Sequence, residues 1–431
     1  MEERMDRALI VGVNVTAGKD LNKKKGSFDL AMDEMVSLVK ACDMEPAGRV
    51  EQNMESPNTA TYIGAGKVQE VCEMVRTLEA DIVVFDNGLS PIQLRNLSRE
   101  LDCPVMDRTT LILEIFSARA RTREARLQVE VARLQYMLPR LVGLHDALSR
   151  QGGASGAMSN KGAGEKKLEL DRRRLEQRLT SMRRELEDIA GERETQRKRR
   201  AEAGIPRVAL VGYTNAGKST IMNAMLTAYV GDEEKQVYEE DMLFATLDTT
   251  VRRITPPDRN AFLLSDTVGF ISNLPHNLVK AFRSTLEEVR EADLLIQVID
   301  YSDENHMEHI RVTEDTLKEL DAAKIPMIYV FNKADLCGMG EFAAVQGDDR
   351  LYMSAKSRSG IDTLLTLIAG KLSERYRDCE FVIPYRRGDI VSYLNDNAVV
   401  HRVEYREDGV YMDANVSYID AARYTDFILL P

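Results

Sequence analysis

The stretch GYTNAGKST at residues 212–220 decides the fold of this chain. It follows the apolar run VALV and precedes IMNAML, a run with helical spacing. Glycines let backbone N–H groups curl around phosphate oxygens, and the helix that follows directs its positive N-terminus at the same charge. Lys218 then reaches the outer phosphates, and the Ser219 hydroxyl coordinates Mg²⁺. The pattern predicts a phosphate-binding P-loop, with a Gly-rich strand-to-helix turn as the alternative.

Two more motifs follow along the chain, each after a predicted strand. In DTVG, residues 266–269, Asp266 is placed to hold magnesium through water and the Gly269 N–H to sense a γ-phosphate. In NKAD, residues 332–335, Asp335 is placed to accept hydrogen bonds from the N1–H and the 2-amino group of guanine. Adenine lacks both donors and would leave a buried carboxylate unpaired, so NKAD favours guanine.

The rest of the base site comes from the same loop and from one further motif. Asn332 ties the loop together, and the stem of Lys333 covers the base. SAK, residues 354–356, follows LYM, and the Ala355 N–H is placed to reach the guanine O6. DTVG alone is a weak signal, since a turn after a strand often contains it. Four ordered motifs over about 145 residues predict a guanine-nucleotide site.

These motifs, together with LFATLD at residues 243–248, resemble the GTPase domain of the HflX family. The resemblance extends to TYIGAGKVQE at residues 61–70 and to the helical segments before the P-loop, so it covers most of the chain. It implies an enzyme that hydrolyses GTP to GDP and phosphate with Mg²⁺. It also implies binding to the large ribosomal subunit and its RNA, and the splitting or rescue of ribosomes under stress.

The resemblance assigns the nucleotide site residue by residue. The implied contacts to GTP or GDP are Gly212, Tyr213, Thr214, Asn215, Ala216, Gly217, Lys218, Ser219, Thr220, Phe244, Ala245, Thr246, Leu247, Asp248, Asp266, Thr267, Val268, Gly269, Asn332, Lys333, Ala334, Asp335, Ser354, Ala355 and Lys356. The implied catalytic residues are Lys218, Thr246 and Gly269, and the implied Mg²⁺ ligands are Ser219, Thr246 and Asp266. Thr246 matches the family's switch threonine, and Thr249 and Thr250 are nearby alternatives.

Two positions bear on the rate of hydrolysis. Phe270 follows Gly269, where Ras-type proteins carry a water-orienting glutamine, and an apolar ring cannot orient water by hydrogen bonding. We therefore expect slow intrinsic hydrolysis unless an activator contributes. Asn215 matches a P-loop asparagine that, in related GTPases, helps to hold an activating K⁺, although a turn-stabilising asparagine is an equal alternative. The ribosome is the other candidate activator.

The composition is that of a folded globular protein of 431 residues, with 44% hydrophobic and 30% charged residues. No apolar run reaches the ~18 residues of a membrane helix, and the N-terminus lacks a signal-peptide pattern. The net charge of −12 argues against a whole surface that attracts nucleic acid. Five dispersed cysteines without a CxxC spacing indicate free thiols. We expect a cytoplasmic monomer with no membrane span.

The predicted fold class is α/β, because short apolar runs alternate with helical patterns on both sides of a long charged helical region. A P-loop GTPase domain is preceded by a parallel α/β domain with a long, coiled-coil-like helical hairpin and is followed by a small α+β C-terminal domain. The expected boundaries are 1–112 for the N-terminal domain, 113–203 for the hairpin with its Gly-rich tip loop 151–164, 204–376 for the GTPase domain and 377–431 for the C-terminal domain.

Basic residues concentrate on the predicted helical arms. Residues 166–200 contain thirteen Lys or Arg against eight Asp or Glu, and RARTREAR at 119–126 is rich in arginine. Composition alone favours a solvated helix with mixed i,i+4 pairs. The family resemblance instead implies docking on ribosomal RNA phosphates, which makes affinity depend strongly on salt.

Two minor patterns lie outside these motifs. IGAGK at residues 63–67 looks like a second phosphate loop, but Val68 takes the place of the magnesium-binding hydroxyl and the glycine spacing differs. We expect a strand-to-helix turn there, with an adenine-nucleotide site as the alternative. His306 and His309 have i,i+3 spacing but no evident third ligand, so we expect a surface pair rather than a metal site.

Three other functions compete with a ribosome-associated GTPase. The chain could be a GTP-switched RNA- or ribosome-binding module with incidental turnover, as a slow site with Phe270 permits. It could be an RNA-modification-associated GTPase similar to TrmE, which requires a modifying cysteine or cofactor motif that the sequence does not show. ATP-driven RNA remodelling is disfavoured by Asp335 unless the N-terminal domain acts separately.

Overall fold

The computed structural model describes residues 4–16, 21–151, 161–202, 204–229, 243–244, 249–257, 259–272, 283–338 and 343–429. The chain divides into two compact units. The first contains Met1–Ala190, Met242–Leu247 and Ser272–Phe282, and the second contains Gly191–Asp241, Asp248–Ile271 and Arg283–Pro431. Among the described residues, no helix is both long and apolar enough to pass through a bilayer. The domain boundaries predicted from the sequence stay predictions.

The first unit is built on a four-stranded parallel sheet in the order β2-β1-β3-β4. Its strands are β1 (Arg7–Val15), β2 (Glu45–Met54), β3 (Ile82–Phe85) and β4 (Val105–Asp107). The helices that alternate with them are α1 (Leu21–Ala41), α2 (Ala65–Thr77), α3 (Pro91–Leu101) and α4 (Arg108–Arg119). Strand residues such as Leu9 and Val83 are fully buried, as expected for a parallel sheet covered by helices. The predicted alternation of strands and helices is confirmed.

Helix α3 begins at Pro91, and its N-terminal cap explains this start. The Ser90 hydroxyl accepts a hydrogen bond from the Gln93 N–H, and the Gln93 side chain accepts one from the Ser90 N–H. This reciprocal pair satisfies two backbone donors at the start of α3, and proline tolerates the first helical position because it has no N–H to leave unpaired.

The two long helices of the hairpin are α5 (Arg123–Gln151) and α6 (Lys161–Glu202). Within the first unit they run antiparallel, because Arg123 pairs with Glu185 at 2.6 Å while Glu130, further along α5, pairs with Arg178 at 3.1 Å. The apolar side chains that they share are Val131, Leu134, Leu138, Leu175, Leu179, Met182 and Leu186. The predicted heptad-like seam is therefore confirmed along this part of α6.

The hairpin departs from the sequence prediction at its tip. Helix α5 contains Pro139 and ends at Gln151. Helix α6 begins at Lys161, inside the predicted tip loop 151–164, and residues 152–160 lie outside the described part. Glycines cost roughly 1 kcal/mol each in a helix, but adding residues to an already nucleated helix is easy, so a long helix extends over a short Gly-containing turn.

A buried ionic cluster in the first unit fixes the backbone of Ser272. Arg108 is 3% exposed, lies against Glu34 and donates to Asp86 Oδ1 at 2.6 Å. It also donates to the Ser272 carbonyl oxygen at 2.8 Å, while the Ser272 N–H donates to Glu34 Oε1 at 3.1 Å. Burial raises the pKa of Asp86, and the nearby Arg108 opposes that rise. Arg108 thus compensates the charges of Glu34 and Asp86. It also holds the backbone of Ser272, which comes shortly after the DTVG motif in the sequence.

The GTPase part of the second unit contains a seven-stranded sheet in the order β10-β11-β9-β8-β5-β7-β6. Its strands are β5 (Arg207–Gly212), β6 (Thr250–Ile254), β7 (Phe262–Asp266), β8 (Leu294–Asp300), β9 (Met327–Asn332), β10 (Ala344–Gln346) and β11 (Arg350–Tyr352). Only the edge strands β6 and β10 pair antiparallel within the described sheet. Strand β5 lies between β8 and β7, so the order switches there, and ligands bind at such a switch point.

Helices of the second unit follow the strands of this sheet. They are α7 (Lys218–Tyr229), α8 (Arg283–Arg290), α9 (His306–Glu319) and α10 (Ile361–Leu372). The apolar runs VALVG, AFLLSDT, LLIQVID and MIYVFNK contain the strands β5, β7, β8 and β9.

The chain ends in a three-stranded antiparallel sheet in the order β12-β14-β13. Its elements are β12 (Tyr376–Ile383), α11 (Gly388–Asn397), β13 (Val399–Arg406), β14 (Gly409–Ser417) and α12 (Tyr418–Arg423). Gly409 has a φ of +151°, and a Cβ there would lie 2.4 Å from the Ile383 carbonyl oxygen, so the start of β14 needs glycine. The three sheets confirm the predicted fold class.

Candidate functional site

The P-loop leaves β5 at Gly212 and enters α7 at Lys218, and two glycines give it its shape. Gly212 has a φ of +142°, and a Cβ there would lie 2.2 Å from the Val298 carbonyl oxygen. Gly217 has a φ of +94°, and its Cβ would lie 2.2 Å from Asn332 Nδ2. Both positions therefore exclude every residue except glycine, and the loop is held close to the strands beside it.

Lys218 lies inside the loop that it terminates. Its side chain donates to the Tyr213 carbonyl oxygen at 2.8 Å and to the Gly212 carbonyl oxygen at 3.2 Å, and the residue is 6% exposed. Burial lowers the pKa of Lys218 to about 8, and the nearby Asp266 opposes the shift. A buried ammonium within reach of the loop is well placed to grip phosphate oxygens.

Ser219 and Asp266 come together as the sequence predicts. The Ser219 hydroxyl donates to Asp266 Oδ2 at 2.7 Å, and Asp266 is fully buried at the end of β7. A hydroxyl and a carboxylate oxygen at this separation form part of the oxygen-only ligand set that Mg²⁺ prefers. The residues therefore fit a magnesium ion beside the P-loop.

The DTVG segment is buried against the P-loop strand. Thr267 is fully buried and its hydroxyl donates to the Leu210 carbonyl oxygen at 2.6 Å, while Val268 is 7% exposed. A Cβ on Gly269 would lie 2.7 Å from the Thr214 Cα and 2.9 Å from Lys218 Nζ. Only glycine therefore fits where DTVG passes the loop.

Asn332 connects three of the motifs. Its side-chain nitrogen donates to the Ala216 carbonyl oxygen at 3.0 Å, and its side-chain oxygen accepts from the Ala355 N–H at 2.9 Å. The residue is 2% exposed, so both bonds are protected from water. Because the Ala355 N–H is engaged by Asn332, the predicted bond to the guanine O6 requires that this N–H be shared.

The residues beside Asn332 have different environments. Asp335 is exposed on the 3₁₀ turn Ala334–Cys337, so only a bound base would take its carboxylate out of water. The preference for guanine stays a prediction. Lys333 adopts a φ of +61° and pairs with Asp300 at 2.7 Å. In SAK, Ser354 is buried and Lys356 is exposed.

A stacked pair beside the P-loop was missed by the sequence reasoning. The Tyr213 ring lies parallel to the His309 imidazole, with 3.9 Å between centroids and 10° between planes. His309 is only 17% exposed at its side chain, so the expectation of a surface histidine was wrong. The sequence signal that was available for this stacking was Tyr213, an aromatic residue inside the P-loop. No group of three or more metal-binding side chains occurs in the described ranges.

Three other P-loop residues lie where the sequence places them. Asn215 is exposed and adopts a φ of +58°, a left-handed conformation that asparagine tolerates. Ala216 is buried, and Thr220 lies in the first turn of α7.

Phe270 belongs to the hydrophobic core. It is 4% exposed and packs in a cluster with Val211 and Leu295. Its N–H donates to the Gly212 carbonyl oxygen at 3.1 Å, and its carbonyl oxygen accepts from the Thr214 N–H at 2.9 Å. The backbone of Phe270 therefore joins the end of DTVG to the P-loop, and its apolar ring offers no hydrogen bond to a water molecule.

Four predicted site residues, Ala245, Thr246, Leu247 and Asp248, lie outside the described residues. Their roles, including that of the switch threonine, stay predictions. Phe244 is described: it belongs to the first unit, is 2% exposed and meets Phe116 edge-on with 4.7 Å between ring centroids. Its predicted contact to the nucleotide also stays a prediction.

The IGAGK segment forms a turn into α2. The Gly64 N–H donates to Gln52 Oε1 at 3.2 Å, and helix α2 begins at the next residue. The Lys67 ammonium pairs with Glu70 at 2.7 Å rather than folding back over the loop. This geometry agrees with the expected turn.

Four family models match the chain in order. They are described as the GTP-binding GTPase N-terminal region at residues 29–117, the GTP-binding GTPase middle region at 119–200, the 50S ribosome-binding GTPase at 207–333 and the HflX C-terminal domain at 342–425. The third model contains the P-loop, DTVG and the first two residues of NKAD.

Similar proteins span nearly the whole chain. The GTPase HflX of Caldanaerobacter subterraneus subsp. tengcongensis is 42% identical over 92% of this chain and 90% of its own length. The GTPase HflX of Escherichia coli is 38% identical over 97% of this chain and 95% of its own. A solved GTP-binding protein from Sulfolobus solfataricus in complex with GDP, 23% identical, covers 86% of this chain and 99% of its own. Its TM-score of 0.42 is too low to compare the two sites.

Proposed function

This chain belongs to the HflX family of GTPases and is a GTP-hydrolysing enzyme, and from that membership we propose that it binds the large ribosomal subunit and splits or rescues ribosomes under stress. The 50S ribosome-binding GTPase model at residues 207–333 supports this partner. Ribosomes work in the cytoplasm, so we place the protein there and expect it to act as a monomer.

The observation that carries the ribosome proposal is a concentration of exposed arginines on α6. The exposed residues, in a protein of net charge −12, are Arg173, Arg174, Arg178, Arg183 and Arg184. Such a concentration of positive charge favours the sugar-phosphate backbone of RNA, where counterion release supplies much of the affinity. Some of these charges are partly compensated, since Arg178 pairs with Glu130 at 3.1 Å and Arg174 with Asp171 at 3.6 Å.

Co-sedimentation with isolated large subunits tests this proposal. We expect the protein to pellet with the subunit in a non-hydrolysable GTP analogue, to release in GDP, and to lose at least about a thousandfold in affinity between about 50 and about 200 mM salt. The double variant Arg183→Glu with Arg184→Glu reverses two of the exposed charges on α6. It is expected to weaken binding to the large subunit at every salt concentration.

The matched control is Arg311→Glu, which reverses one exposed arginine on α9 and is expected to leave binding unchanged. Equal pelleting in GDP and in the GTP analogue would contradict a nucleotide-controlled role. Equal pelleting of the double variant and the wild type would remove α6 as the docking surface.

We propose that hydrolysis depends on Mg²⁺ held by Ser219 and Asp266, with Thr246 completing the set in the GTP state. The ion would neutralise the charge that develops on the phosphates. The residues of this chain do the rest: Lys218 grips the outer phosphates, the Gly269 N–H senses the γ-phosphate, and water is the nucleophile. Asn332 keeps the P-loop and SAK in register with the base site.

We propose that K⁺ activates hydrolysis through Asn215. The exposed amide at a left-handed turn of the P-loop can offer an oxygen ligand to a monovalent cation. A cation there offsets the charge that develops in the transition state, so turnover in KCl is expected to exceed turnover in NaCl by about tenfold or more. Asn215→Ala should abolish the difference. Steady-state phosphate release in the two salts measures it, and equal rates in wild type would remove the proposal.

A GTP-switched binding module with incidental turnover is the second candidate. The core position of Phe270 favours it, since that side chain supplies no water-orienting group. Single-turnover hydrolysis with and without large subunits separates the two. Strong stimulation by the subunit supports a regulated GTPase, and no stimulation supports a binding module.

A further inference from the structure

The Thr214 side chain is a buried polar group to which no role in the reaction has been assigned. Thr214 is 6% exposed, and its hydroxyl makes no hydrogen bond with any residue in the described part of the chain. Its backbone is fixed, because the Thr214 N–H donates to the Phe270 carbonyl oxygen at 2.9 Å. The Thr214 side chain can therefore still rotate about its Cα–Cβ bond, whereas its backbone is held.

An unpaired buried hydroxyl destabilises a fold relative to an apolar group of the same shape. Valine matches threonine in shape and would fill this space without an unsatisfied polar atom. Most buried polar groups are paired, and the exceptions cluster where a site is built for a ligand. The hydroxyl of Thr214 therefore needs an explanation other than packing.

The position of Thr214 supplies that explanation. A Cβ built on Gly269 would lie 2.7 Å from the Thr214 Cα, 2.8 Å from its methyl carbon and 2.9 Å from Lys218 Nζ. Thr214 thus lies where the P-loop lysine and the DTVG glycine approach each other. In P-loop GTPases these two elements hold the γ-phosphoryl group. Thr214 and Lys218 are each 6% exposed, so both residues lie deep in the P-loop.

The chemistry of the site also leaves a role open. Ras-type GTPases orient the attacking water with a glutamine after the DxxG motif, and this chain has Phe270 there, with its ring in the core. A hydroxyl offers both a donor and an acceptor, so it can take part in hydrogen bonding that a phenylalanine cannot.

We propose that Thr214 is a further catalytic residue, whose hydroxyl donates a hydrogen bond to a γ-phosphoryl oxygen in the transition state. Water attacks the γ-phosphorus and a new P–O bond forms. The bond to the bridging oxygen breaks, its electron pair stays on GDP, and both protons of the water leave with inorganic phosphate as dihydrogen phosphate. Thr214 gains and loses no bond; it stabilises charge on the group being transferred.

Single-turnover GTP hydrolysis by the full chain without ribosomes tests this role. Thr214→Val removes the hydroxyl at constant shape and is expected to slow hydrolysis about ten- to a hundredfold. GDP lacks the γ-phosphoryl group, so its affinity by calorimetry should stay within about twofold of wild type. The melting temperature should not fall, because an unpaired buried hydroxyl has been replaced by a methyl group.

Three further variants make the test specific. Thr214→Ser restores the hydroxyl and should recover hydrolysis to within about threefold of wild type. Thr214→Ala is a second hydroxyl-free variant and should be slow even if the valine variant does not fold. Thr227→Val makes the same change on α7, where the hydroxyl bonds the Asn223 carbonyl oxygen at 2.9 Å, and should leave the rate unchanged.

Several outcomes would overturn the proposal. One is hydrolysis by Thr214→Val at the wild-type rate. Another is a parallel loss of GDP affinity, which would indicate a structural role in the P-loop. A third is a serine variant as slow as the valine variant. None of these outcomes bears on ribosome binding, which is measured separately by co-sedimentation.

Discussion

A Lys218→Ala variant is expected to lose at least about a thousandfold in GTP turnover. Lys218 Nζ is the cation that the P-loop encloses, held by the Tyr213 and Gly212 carbonyl oxygens at 2.8 and 3.2 Å. Without it, the triphosphate would enter a buried loop with no lysine charge to meet it, and the charge that develops during hydrolysis would lose its nearest protein counter-charge. Both ground-state binding and the chemical step depend on this ammonium.

Single-turnover hydrolysis and GDP calorimetry measure the two losses separately. The chain offers a matched control in Lys67→Ala, because Lys67 lies in the glycine-containing IGAGK segment but pairs with Glu70 at 2.7 Å. That variant should hydrolyse GTP at the wild-type rate. A Lys218→Ala variant with normal turnover, or a Lys67→Ala variant that loses it, would place the nucleotide elsewhere.

The pKa of Lys218 adds a pH signature to the same prediction. Burial lowers this pKa to about 8, whereas bound phosphate favours the ammonium. Above that pH the free protein has largely lost the proton and must take one up to bind, so GDP affinity falls as pH rises. Below that pH Lys218 is already protonated, and GDP affinity does not change with pH. Calorimetry in buffers of different ionisation enthalpy detects this proton uptake, and the uptake should be absent in the Lys218→Ala variant.

Asp335→Asn is expected to exchange the base preference of the site from guanine to xanthine. A carboxylate accepts both the N1–H and the 2-amino donors of guanine, and an amide offers one acceptor and one donor, which match the N1–H and the 2-carbonyl of xanthine. A site that leaves polar groups unpaired rejects the wrong base strongly, so GTP affinity should fall by about a thousandfold while XTP affinity rises.

Competition of GTP, XTP and ATP for a fluorescent guanine nucleotide measures this exchange. Asp348→Asn removes the same charge from an exposed position and should keep the preference for guanine. Equal affinity of the wild type for ATP and GTP would contradict the role of Asp335. An Asp335→Asn variant that binds neither GTP nor XTP would show that the carboxylate supports the loop rather than reading the base.

Much of the nucleotide site could be predicted because it is encoded in short contiguous motifs. GYTNAGKS specifies a strand, a glycine turn and a helix within a few residues, and the structure contains all three between β5 and α7. The strands before DTVG and NKAD, with five and six residues, were recognisable as mainly apolar runs. Such features depend on steric and hydrogen-bonding preferences of neighbouring residues, which a single sequence displays.

Other predictions failed where distant residues decide the outcome. His309 was expected at the surface, yet it stacks on Tyr213 from a helix that begins far along the chain. Helix α6 extends over Gly162 and Gly164, which composition alone assigns to a loop. In each case burial or helix length depends on packing that local periodicity does not contain.

Local patterns were sufficient to identify the P-loop, the guanine motifs and the alternation of strands and helices, since these follow from residue types at fixed short spacings. Packing alone settled that Asn332 joins Ala216 to Ala355, and that the hydroxyl of Thr214 is buried beside Gly269 without a partner among the described residues. The physical reason is that burial and hydrogen-bond pairing belong to neighbours in space, and these lie up to 139 positions apart between Ala216 and Ala355.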